Sequence, residues 1–580
     1  MKNKLICLLL AIMMLVSSMF VLASCGGGEE NPPDNGDGNG NGNGNGNGTD
    51  VGGGDNNNQT GEPGYPWDTT DLFFMMTDNS NAQELPSGCK AYLAGEDTTA
   101  IGDIYDDVKA RNLAAQTTTK VFVDYDYYPD TDGYGWSGVI DDINLTVMSG
   151  DEEAPDIYCN FIYDMVATSL IGSFANLRST SRGNNYFTFV DRAFNGLDTG
   201  EGYMYEYMTS LTLSKFKMYV LASDYFIDLI RAFFIVPVNI NLINEIVGQI
   251  DGERTDDNVT DIQDFYEMVK AGEWDYKKMA AYCAAVYSPS ATGGTPSLDD
   301  DKVGFALGTY SGLPSSGIVY TTSVTIIEKE WNDEENDYDY WYPATNPELV
   351  KLSENLKTLF EGTGVITVSG SNNWGATDLQ GIRNRFATGH VLFGGIICVG
   401  SLEYTEYQNM KKADSVEDAS KGYGFGLAPV PLYRSAAESG DRYLTQIHNV
   451  GRAGGISAMT TKFSQCSAFL NYQSHNSTDI LNNYYNVQLQ YAVSDGSAGN
   501  TYMLQYIRAN VRTSFDKAFE DAIAEFYEKT DPNAGEERWN VILQRKGFQV
   551  DNMQETYAGL YDKKEGNLQK LVNQYTVLPD

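Results

Sequence analysis

The chain has 580 residues, 42% of them hydrophobic, and a formal net charge of −40 at pH 7. That length and apolar content suffice for a large core and predict two or more compact units. A surface this acidic repels nucleic acids and anionic lipid, so no nucleic-acid partner is predicted. An uncharged ligand feels no such repulsion and is compatible with the composition.

The N-terminus has the features of an export signal. Lys2 and Lys4 precede an apolar run over residues 5–22, which ends in Leu-Ala-Ser-Cys at 22–25. A charged start, an apolar stretch and small residues before a cleavage point are typical of secretory signals. The last four residues resemble the lipobox of bacterial lipoproteins, which implies a signal peptide over 1–24 and acylation of Cys25. A transmembrane anchor is the alternative, because the run is near the lower length limit for spanning a bilayer.

The composition of residues 25–66 predicts a Gly/Asn-rich disordered linker, which would be lipid-anchored at Cys25. An Asn-Gly repeat fills residues 39–48, and the segment is nearly devoid of apolar side chains. Such a composition cannot bury enough surface to offset the loss of chain entropy. About 40 flexible residues have a root-mean-square reach of about 35 Å. Residues 37–42 match half of a calcium loop, but Gly48 replaces the bidentate Glu, so no metal site is predicted there.

Beyond the linker, apolar periodicity predicts strands that alternate with helices. Alternation of this kind implies an α/β sheet with covered faces. Gly172 is the predicted stop of a helix, Asp275 a helix cap, and residues 328–342 an exposed acidic insertion. The predicted strands are 90–94, 120–125, 155–159, 217–222, 233–238, 302–307 and 391–399. The predicted helices are 104–114, 139–148, 163–170, a pair within 261–287, 347–360 and 379–387, with mostly helix from 464 onward and its strongest periodicity at 510–527.

Motifs for metal, cofactor or catalytic chemistry are weak. Cys89, Cys159, Cys283, Cys398 and Cys466 are widely spaced, without a zinc pattern or a disulfide framework, and three of them (159, 283 and 398) are predicted core residues. A literal GxGxxG occurs at 133–138, but acidic residues just before it would repel a pyrophosphate. We therefore predict no cofactor, no metal ion and no catalytic residue, and hence not an enzyme.

Several segments carry a family resemblance when they are taken in chain order. They are Met148–Asp151 followed by Pro155–Tyr158, Lys217–Tyr219, Pro237–Asn239, Arg385–Phe393 and Gly424–Pro431. Together they resemble the extracellular solute-binding proteins of family 1, the group that includes maltose-binding and other sugar-binding proteins of ABC importers. The resemblance covers about residues 90 to 475. Val238 stands where that family has Tyr, and Gly395-Ile396-Ile397 stands where it has Gly-Pro-Trp.

The resemblance implies a two-lobed periplasmic-binding-protein type II fold of the α/β class. Two or three crossing segments would join the lobes, bend as a hinge and close a ligand cleft. The implied boundaries are 67–235 plus 396–450 for lobe 1, and 236–395 plus 451–580 for lobe 2.

A neutral polar ligand needs flat aromatic faces and planar polar groups in such a cleft. Four of the candidates have a structural alternative: Asp164 as a helix cap, Arg231 as the partner of Asp228, Trp374 as a loop anchor, and His448 as a hydrogen-bonded core residue. The predicted ligand-binding residues are Asn160, Tyr163, Asp164, Asp224, Tyr225, Arg231, Tyr310, Ser311, Trp374 and His448.

These observations predict a monomeric, lipid-anchored receptor of an ABC importer on the extracellular face of the bacterial membrane. It would capture a small solute, a carbohydrate by family likeness and aromatic content, and deliver it to the permease subunits. The alternatives are a surface glycoside hydrolase, which would use two carboxylates, and a glycan-binding adhesin or sensor without a permease.

Overall fold

The computed structural model describes residues 65–77, 85, 90–96, 104–128, 138–151, 153–189, 202–250, 262–289, 301–308, 313–368, 378–410, 424–485, 498–511, 515–528 and 538–578. Residues Tyr65–Asp580 form one compact unit. The predicted signal peptide, Cys25 and almost all of the linker lie outside the described residues. Tyr65 itself contacts the rings of Trp67 and Tyr186, so the folded part begins two residues before the predicted boundary.

The first sheet has the order β12-β3-β1-β2. Its strands are β1 (Thr70–Thr77), β2 (Val121–Tyr128), β3 (Ile157–Phe161) and β12 (Arg452–Ile456). The first three in the chain are parallel, and β12 runs antiparallel to β3. The connections between the parallel strands are the predicted helices, observed as α1 (Ile104–Thr119) and α2 (Gly138–Ser149), and α3 (Ile162–Leu170) follows β3. Gly172 adopts a φ of +81° just beyond α3, as expected of a helix stop.

The first strand of this sheet is not the predicted one. Residues 90–94 form a π-helical turn, because Arg111 takes the carbonyl groups of Tyr92 and Leu93 as hydrogen-bond acceptors. The actual strand is β1, in which Leu72, Phe74 and Met76 are fully buried.

The predicted strand at 217–222 is also wrong. The segment forms a single bridge to the sheet, between Leu221 and Gly454. Its other carbonyl groups have separate partners, since Met218 O accepts from Leu177 N and Ala222 O from Met204 N. The short helices α4 (Tyr205–Ser210) and α5 (Ile227–Arg231) flank this segment.

The second sheet is built on the same plan as the first. Its strands are β4 (Phe234–Asn239), β5 (Val303–Gly308), β8 (Val365–Val368), β9 (Val391–Phe393), β10 (Ile397–Cys398) and β11 (Phe425–Ala428). β8, β5 and β9 are parallel in that order, and β4 runs antiparallel beside β9. In both sheets the parallel strands therefore lie in the order second, first, third, followed by an antiparallel strand from another part of the chain.

β9 and β10 form one interrupted strand. Phe393 lies opposite Val238 and Ile397 opposite Ile235, so both pairs follow nearly the same antiparallel register along β4. The interruption falls at Gly394–Ile396, where Gly395 has a φ of +91°. The predicted strand over 391–399 is thus confirmed at 391–393 and 397–398, with a bulge at its two glycines, whereas Val399 begins a 3-10 helix.

Of the helices around the second sheet, those at 262–270, 276–286, 347–360 and 378–387 were predicted. Those at 240–250, 313–320, 405–410 and 436–439 were not predicted. Asp275 caps the helix Tyr276–Val286 as expected, with its carboxylate 2.7 Å from the Lys278 amide nitrogen. These helices are α6 (Ile240–Ile250), α7 (Ile262–Lys270), α8 (Tyr276–Val286), α9 (Leu313–Tyr320), α10 (Pro347–Phe360), α11 (Asp378–Ala387), α12 (Thr405–Met410) and α13 (Ala436–Ser439).

The acidic insertion is a hairpin, β6 (Glu328–Asn332) and β7 (Asp337–Trp341). It is less exposed than predicted, because Tyr340 is buried against Phe515 with ring centroids 5.1 Å apart.

The strand pairing corrects the predicted division into lobes. β10 and β11 fall within 396–450, assigned to lobe 1, but both pair with β4 in the second sheet. β12 falls within 451–580, assigned to lobe 2, but it pairs with β3 in the first sheet. The chain therefore returns to the first sheet only at about residue 450, later than predicted.

The C-terminal part is helical, as predicted, and its last helix contacts both halves. The helices are α14 (Phe463–His475), α15 (Thr478–Asn483), α16 (Ala498–Ala509), α17 (Phe515–Ile523), α18 (Trp539–Arg545) and α19 (Met553–Thr576). Near the start of α19, the Tyr557 hydroxyl donates to Pro343 O at 2.7 Å, beside the second sheet's helices. Near its end, Gln574 donates to Leu170 O at 2.9 Å, at the end of α3.

Candidate functional site

Three segments of the chain meet between the two sheets. Residues 232–235 lie in the middle, with Val399 N donating to Phe233 O at 2.9 Å on one side. On the other side Phe234 N donates to Gln446 O at 3.2 Å, and His448 N donates to Ala232 O at 2.9 Å. We call these three segments (232–235, 397–399 and 446–448) the crossing ribbon, since the chain passes between the sheets at 232–235 and 446–448.

The carboxyl edges of both sheets face the crossing ribbon. In the first sheet, β3 ends at Phe161 opposite Arg452, the first residue of β12, and β12 begins directly after the ribbon. In the second sheet, β4 leaves the ribbon, and β9 runs antiparallel to it, back toward the ribbon, together with the parallel β5 and β8. Open α/β sheets bind ligands beyond the carboxyl ends of their strands. The carboxyl edges of both sheets, where a ligand is expected, therefore lie on the side of the crossing ribbon.

A buried ionic cluster (Asp228, Arg231, Glu403 and Arg452) holds this junction together. Arg231 bonds Glu403 with two nitrogens at 2.7 and 2.9 Å, and it bonds Asp228 at 2.7 Å. Arg452 bonds the other oxygen of Asp228 at 2.5 Å. The four side chains are at most 8% exposed, and two positive charges balance two negative ones. Removing any one member would therefore leave an uncompensated charge in the interior.

Arg231, a predicted ligand residue, uses all three of its guanidinium nitrogens to bond the carboxylates of this cluster. Its guanidinium also lies 4.2 Å above the centre of the Tyr92 ring. Burial lowers the pKa of Arg231, but Glu403, Tyr92 and Asp228 outweigh burial and raise the pKa above its ordinary value. The alternative from the sequence, an ion pair with Asp228, is the arrangement that the structure contains.

Asn160 and Tyr163 lie where the first sheet ends. Asn160 is on β3, and its Oδ1 accepts from the Thr77 hydroxyl at 2.7 Å. Its Nδ2 is buried and finds no hydrogen-bond partner in the described part of the chain. Tyr163, in the first turn of α3, donates its hydroxyl to Ile447 O at 2.7 Å and so ties α3 to the crossing ribbon.

Asp164 follows on α3 and faces the C-terminal helices. Its Oδ2 is buried, without a hydrogen-bond partner among the described residues. Burial raises the pKa of Asp164 well above its ordinary value, with further increases from Asp521 and Glu525 and an opposing effect of Lys517. These surroundings favour the protonated form of the carboxyl group, which can donate a hydrogen bond where a carboxylate cannot.

His448 lies within the crossing ribbon and is 1% exposed. Its Nδ1 accepts from Val450 N at 2.9 Å, so the proton of the neutral ring is on Nε2. Nε2 is buried, with no partner among the residues that the structure describes. Burial and Lys517 lower the pKa of His448 to about 3, which keeps the ring neutral.

Asp224 and Tyr225 lie further from the carboxyl edge. Asp224 accepts from the Thr478 hydroxyl at 2.8 Å, at the start of α15. The Tyr225 hydroxyl lies 3.2 Å from that of Tyr125, in the middle of β2, and its ring stacks under Arg111. Tyr310, Ser311 and Trp374 lie outside the described residues. The structure thus brings Asn160, Tyr163, Arg231 and His448 to one junction.

Sequence reasoning missed Thr77, Glu403, Arg452 and Lys517. Thr77 ends a strand that was not predicted. A signal existed for Arg452, which stands among Val450, Gly451, Ala453 and Gly454 in a chain with only 39 basic residues against 79 acidic ones. A cation inside an apolar run is rarely buried unless it is paired. Its partner Asp228 is 224 positions away, and spacing alone could not identify it.

The described residues hold further features that bear on function. Among them, no helix is long and apolar enough to cross a bilayer. No group of three or more His, Cys, Asp or Glu side chains in the same described ranges is placed to hold a metal ion. Cys159, Cys283, Cys398 and Cys466 are free and buried. The core positions predicted for the first three are confirmed.

No protein-family model matches the chain, and no curated protein matches it. Several solved structures match the chain over most of its length. The GacH receptor of Streptomyces glaucescens, described with acarbose, has a TM-score of 0.43 and 14% identity over 87% of this chain and 99% of its own. The galacto-N-biose/lacto-N-biose I-binding protein of a Bifidobacterium longum ABC transporter has a TM-score of 0.45 and 9% identity over 89% and 100%.

A third match is the ABC substrate-binding protein Lmo0181 from Listeria monocytogenes, in complex with cycloalternan. It has a TM-score of 0.43 and 10% identity over 87% of this chain and all of its own. At such identities the likeness concerns the fold alone. The function proposed below therefore rests on the strand order and the crossing ribbon of this chain itself.

Proposed function

We propose that the protein is an extracellular solute-binding receptor of an ABC importer, of the family 1 type, which captures an uncharged solute between its two sheets. The observation that carries this proposal is that both carboxyl edges face one crossing ribbon. Ligand sites in α/β proteins lie at such edges and at interfaces between domains. A short ribbon between two sheets is also suited to hinge bending, which encloses a ligand.

A carbohydrate is the proposed solute. The two arginines of the ionic cluster are already paired with carboxylates, so they do not attract an anionic ligand. The chain has 39 Tyr, 25 Phe and 7 Trp residues, which supply the flat apolar faces that sugar rings require. Its net charge of −40 disfavours anionic ligands further.

The receptor would be a monomer held on the outer face of the bacterial membrane by lipid on Cys25. The Gly/Asn-rich segment would let the folded part move above the membrane while it remains captive near the permease subunits. Intact-mass analysis of the membrane-extracted protein tests the anchor. A mass increase for acyl groups is expected, and Cys25→Ser should abolish it.

Native mass spectrometry of the purified folded part, together with small-angle scattering, tests solute capture. We expect a retained small molecule or saturable binding of neutral oligosaccharides, with a smaller radius of gyration at saturation. Absence of compaction would refute the closing mechanism. Cleavage of the oligosaccharides would refute the receptor in favour of a glycoside hydrolase. Binding without any permease gene nearby would favour an adhesin or sensor.

A further inference from the structure

Thr77 and Asn160 are neighbours at the carboxyl edge of the first sheet. β1 and β3 are parallel with Met76 opposite Cys159, so the next residue of each strand lies on one shared face. The Thr77 hydroxyl donates to Asn160 Oδ1 at 2.7 Å. The two side chains are 4% and 1% exposed, so the bond is shielded from water.

This bond engages the carbonyl oxygen of the Asn160 side-chain amide, Oδ1, and leaves its NH2 group, Nδ2, without a hydrogen bond within the described part of the chain. Nδ2 carries two hydrogens, is buried, and has no partner among the residues described. Buried polar groups in proteins are nearly always hydrogen-bonded, so an unused donor requires an explanation. Its location at a carboxyl edge that faces the crossing ribbon offers one, namely a hydrogen bond that forms only when a ligand is present.

The surroundings of the amide determine which ligand atom it suits. Arg452 Nε donates to the Thr77 carbonyl at 3.0 Å, and its Nη1 is paired with Asp228. The positive charge next to the pair is therefore compensated. On the other side of β3, Ala453 stands opposite Asn160, and its methyl group offers the amide no polar partner. An uncharged acceptor oxygen fits this position better than a carboxylate or a phosphate.

We infer that the Asn160 NH2 group donates to a hydroxyl or ring oxygen of the ligand, and that Thr77 is the positioning residue that sets the orientation of the amide. Thr77 acts through Asn160 only, because its hydroxyl is directed to Asn160 Oδ1. Without that hydroxyl the amide can rotate and present its carbonyl end instead. This inference rests on the proposed function and adds a specificity-determining pair to it.

The experiment titrates the folded part, residues 65–580, with maltotriose, cellotriose, xylotriose and raffinose by calorimetry. For the sugar that binds best, Asn160→Ala should weaken binding about tenfold, the usual effect of losing one uncharged hydrogen bond. Thr77→Val should weaken it several-fold, whereas Thr77→Ser, which keeps the hydroxyl, should stay within twofold of the wild type. The double variant Thr77→Val/Asn160→Ala should bind no more weakly than Asn160→Ala alone.

Thr119→Val is the matched control. Thr119 is equally buried, and it bonds Ala115 O before β2 begins, at the opposite edge of the sheet. Its loss should alter stability without altering affinity. Unchanged affinity in Asn160→Ala, or additive losses in the double variant, would overturn the inference while leaving the receptor intact. Failure of the wild type to bind any of these sugars would overturn the carbohydrate proposal and the inference with it.

Discussion

Replacement of Glu403 by Gln should destabilise the protein strongly. The side chain accepts two hydrogen bonds from Arg231 and one from the Tyr484 hydroxyl at 2.6 Å, in a site where it is 8% exposed. Two charges 4 Å apart interact by about 4 kcal/mol at an effective dielectric constant of about 20. Breaking a buried pair from one side costs about 3–5 kcal/mol. Gln also turns an NH2 group toward a guanidinium donor, so we expect a loss of about 4 kcal/mol.

Guanidinium unfolding followed by tryptophan fluorescence measures this loss as a lower midpoint at an unchanged slope. The matched control is Glu354→Gln, whose exposed carboxylate lies 3.4 Å from Lys351, and it should leave the midpoint unchanged. Adding Arg231→Met to Glu403→Gln should cost less than the sum of the single changes, because no unpaired charge then remains at that position. If Glu403→Gln left the unfolding midpoint unchanged, as Glu354→Gln should, the conclusion that the ionic cluster stabilises the junction between the sheets would be wrong.

Two further predictions concern pH dependence and backbone fit. The pKa of His448 is about 3 when folded, whereas an unfolded His titrates near 6.5, so acid protonates the unfolded state first. Between pH 6.5 and about 3, His448 alone should therefore lower the free energy of unfolding by about 1.4 kcal/mol per pH unit. His448→Asn, whose side chain can still accept from Val450 N, should remove that part of the slope. Parallel stability profiles of the two proteins would contradict the buried neutral ring. Gly566→Ala on α19 should raise the free energy of unfolding by about 0.5–1 kcal/mol, since its new methyl group meets nothing within 4 Å. Gly304→Ala should prevent normal folding, because its Cβ would lie 2.1 Å from Cys283 Cα. Equal effects of the two changes in thermal unfolding would refute the packing of α8 on β5.

Local signals predicted the elements whose structure is decided locally. α10 was predicted to the residue, because Asn346 caps it, Pro347 opens it and its apolar positions repeat at helical spacing. β1 was missed although its apolar run at 72–76 has Pro63-Gly64 and Pro66 before it and Asp78-Asn79 after it, which are turn signals. The segment at 217–222 has strand composition, but its hydrogen bonds go to several partners that only the tertiary fold provides.

The junction between the sheets could be predicted only in outline. The resemblance implied crossings near residues 235, 395 and 450. The chain passes between the sheets at 232–235 and 446–448, whereas near 395 it stays in the second sheet, beside β4. The resemblance did not imply that β12 belongs to the first sheet, because antiparallel pairing over such a separation leaves no local trace. Likewise Asn160 could be named from its place after a strand, whereas its unused amide donor depends on Thr77, 83 positions earlier.

The late arrival of β12 has a consequence for biosynthesis. β3 is complete at Phe161, but the strand that covers its far side ends at Ile456. Ribosomes add about 5–20 residues per second, so roughly 15–60 s separate the two events. Throughout that interval a nascent chain would carry a row of unpaired amide and carbonyl groups along β3, a surface on which strands of other chains can assemble. We expect the yield of this protein to depend on a holdase, and to fall when synthesis is slowed between those two strands.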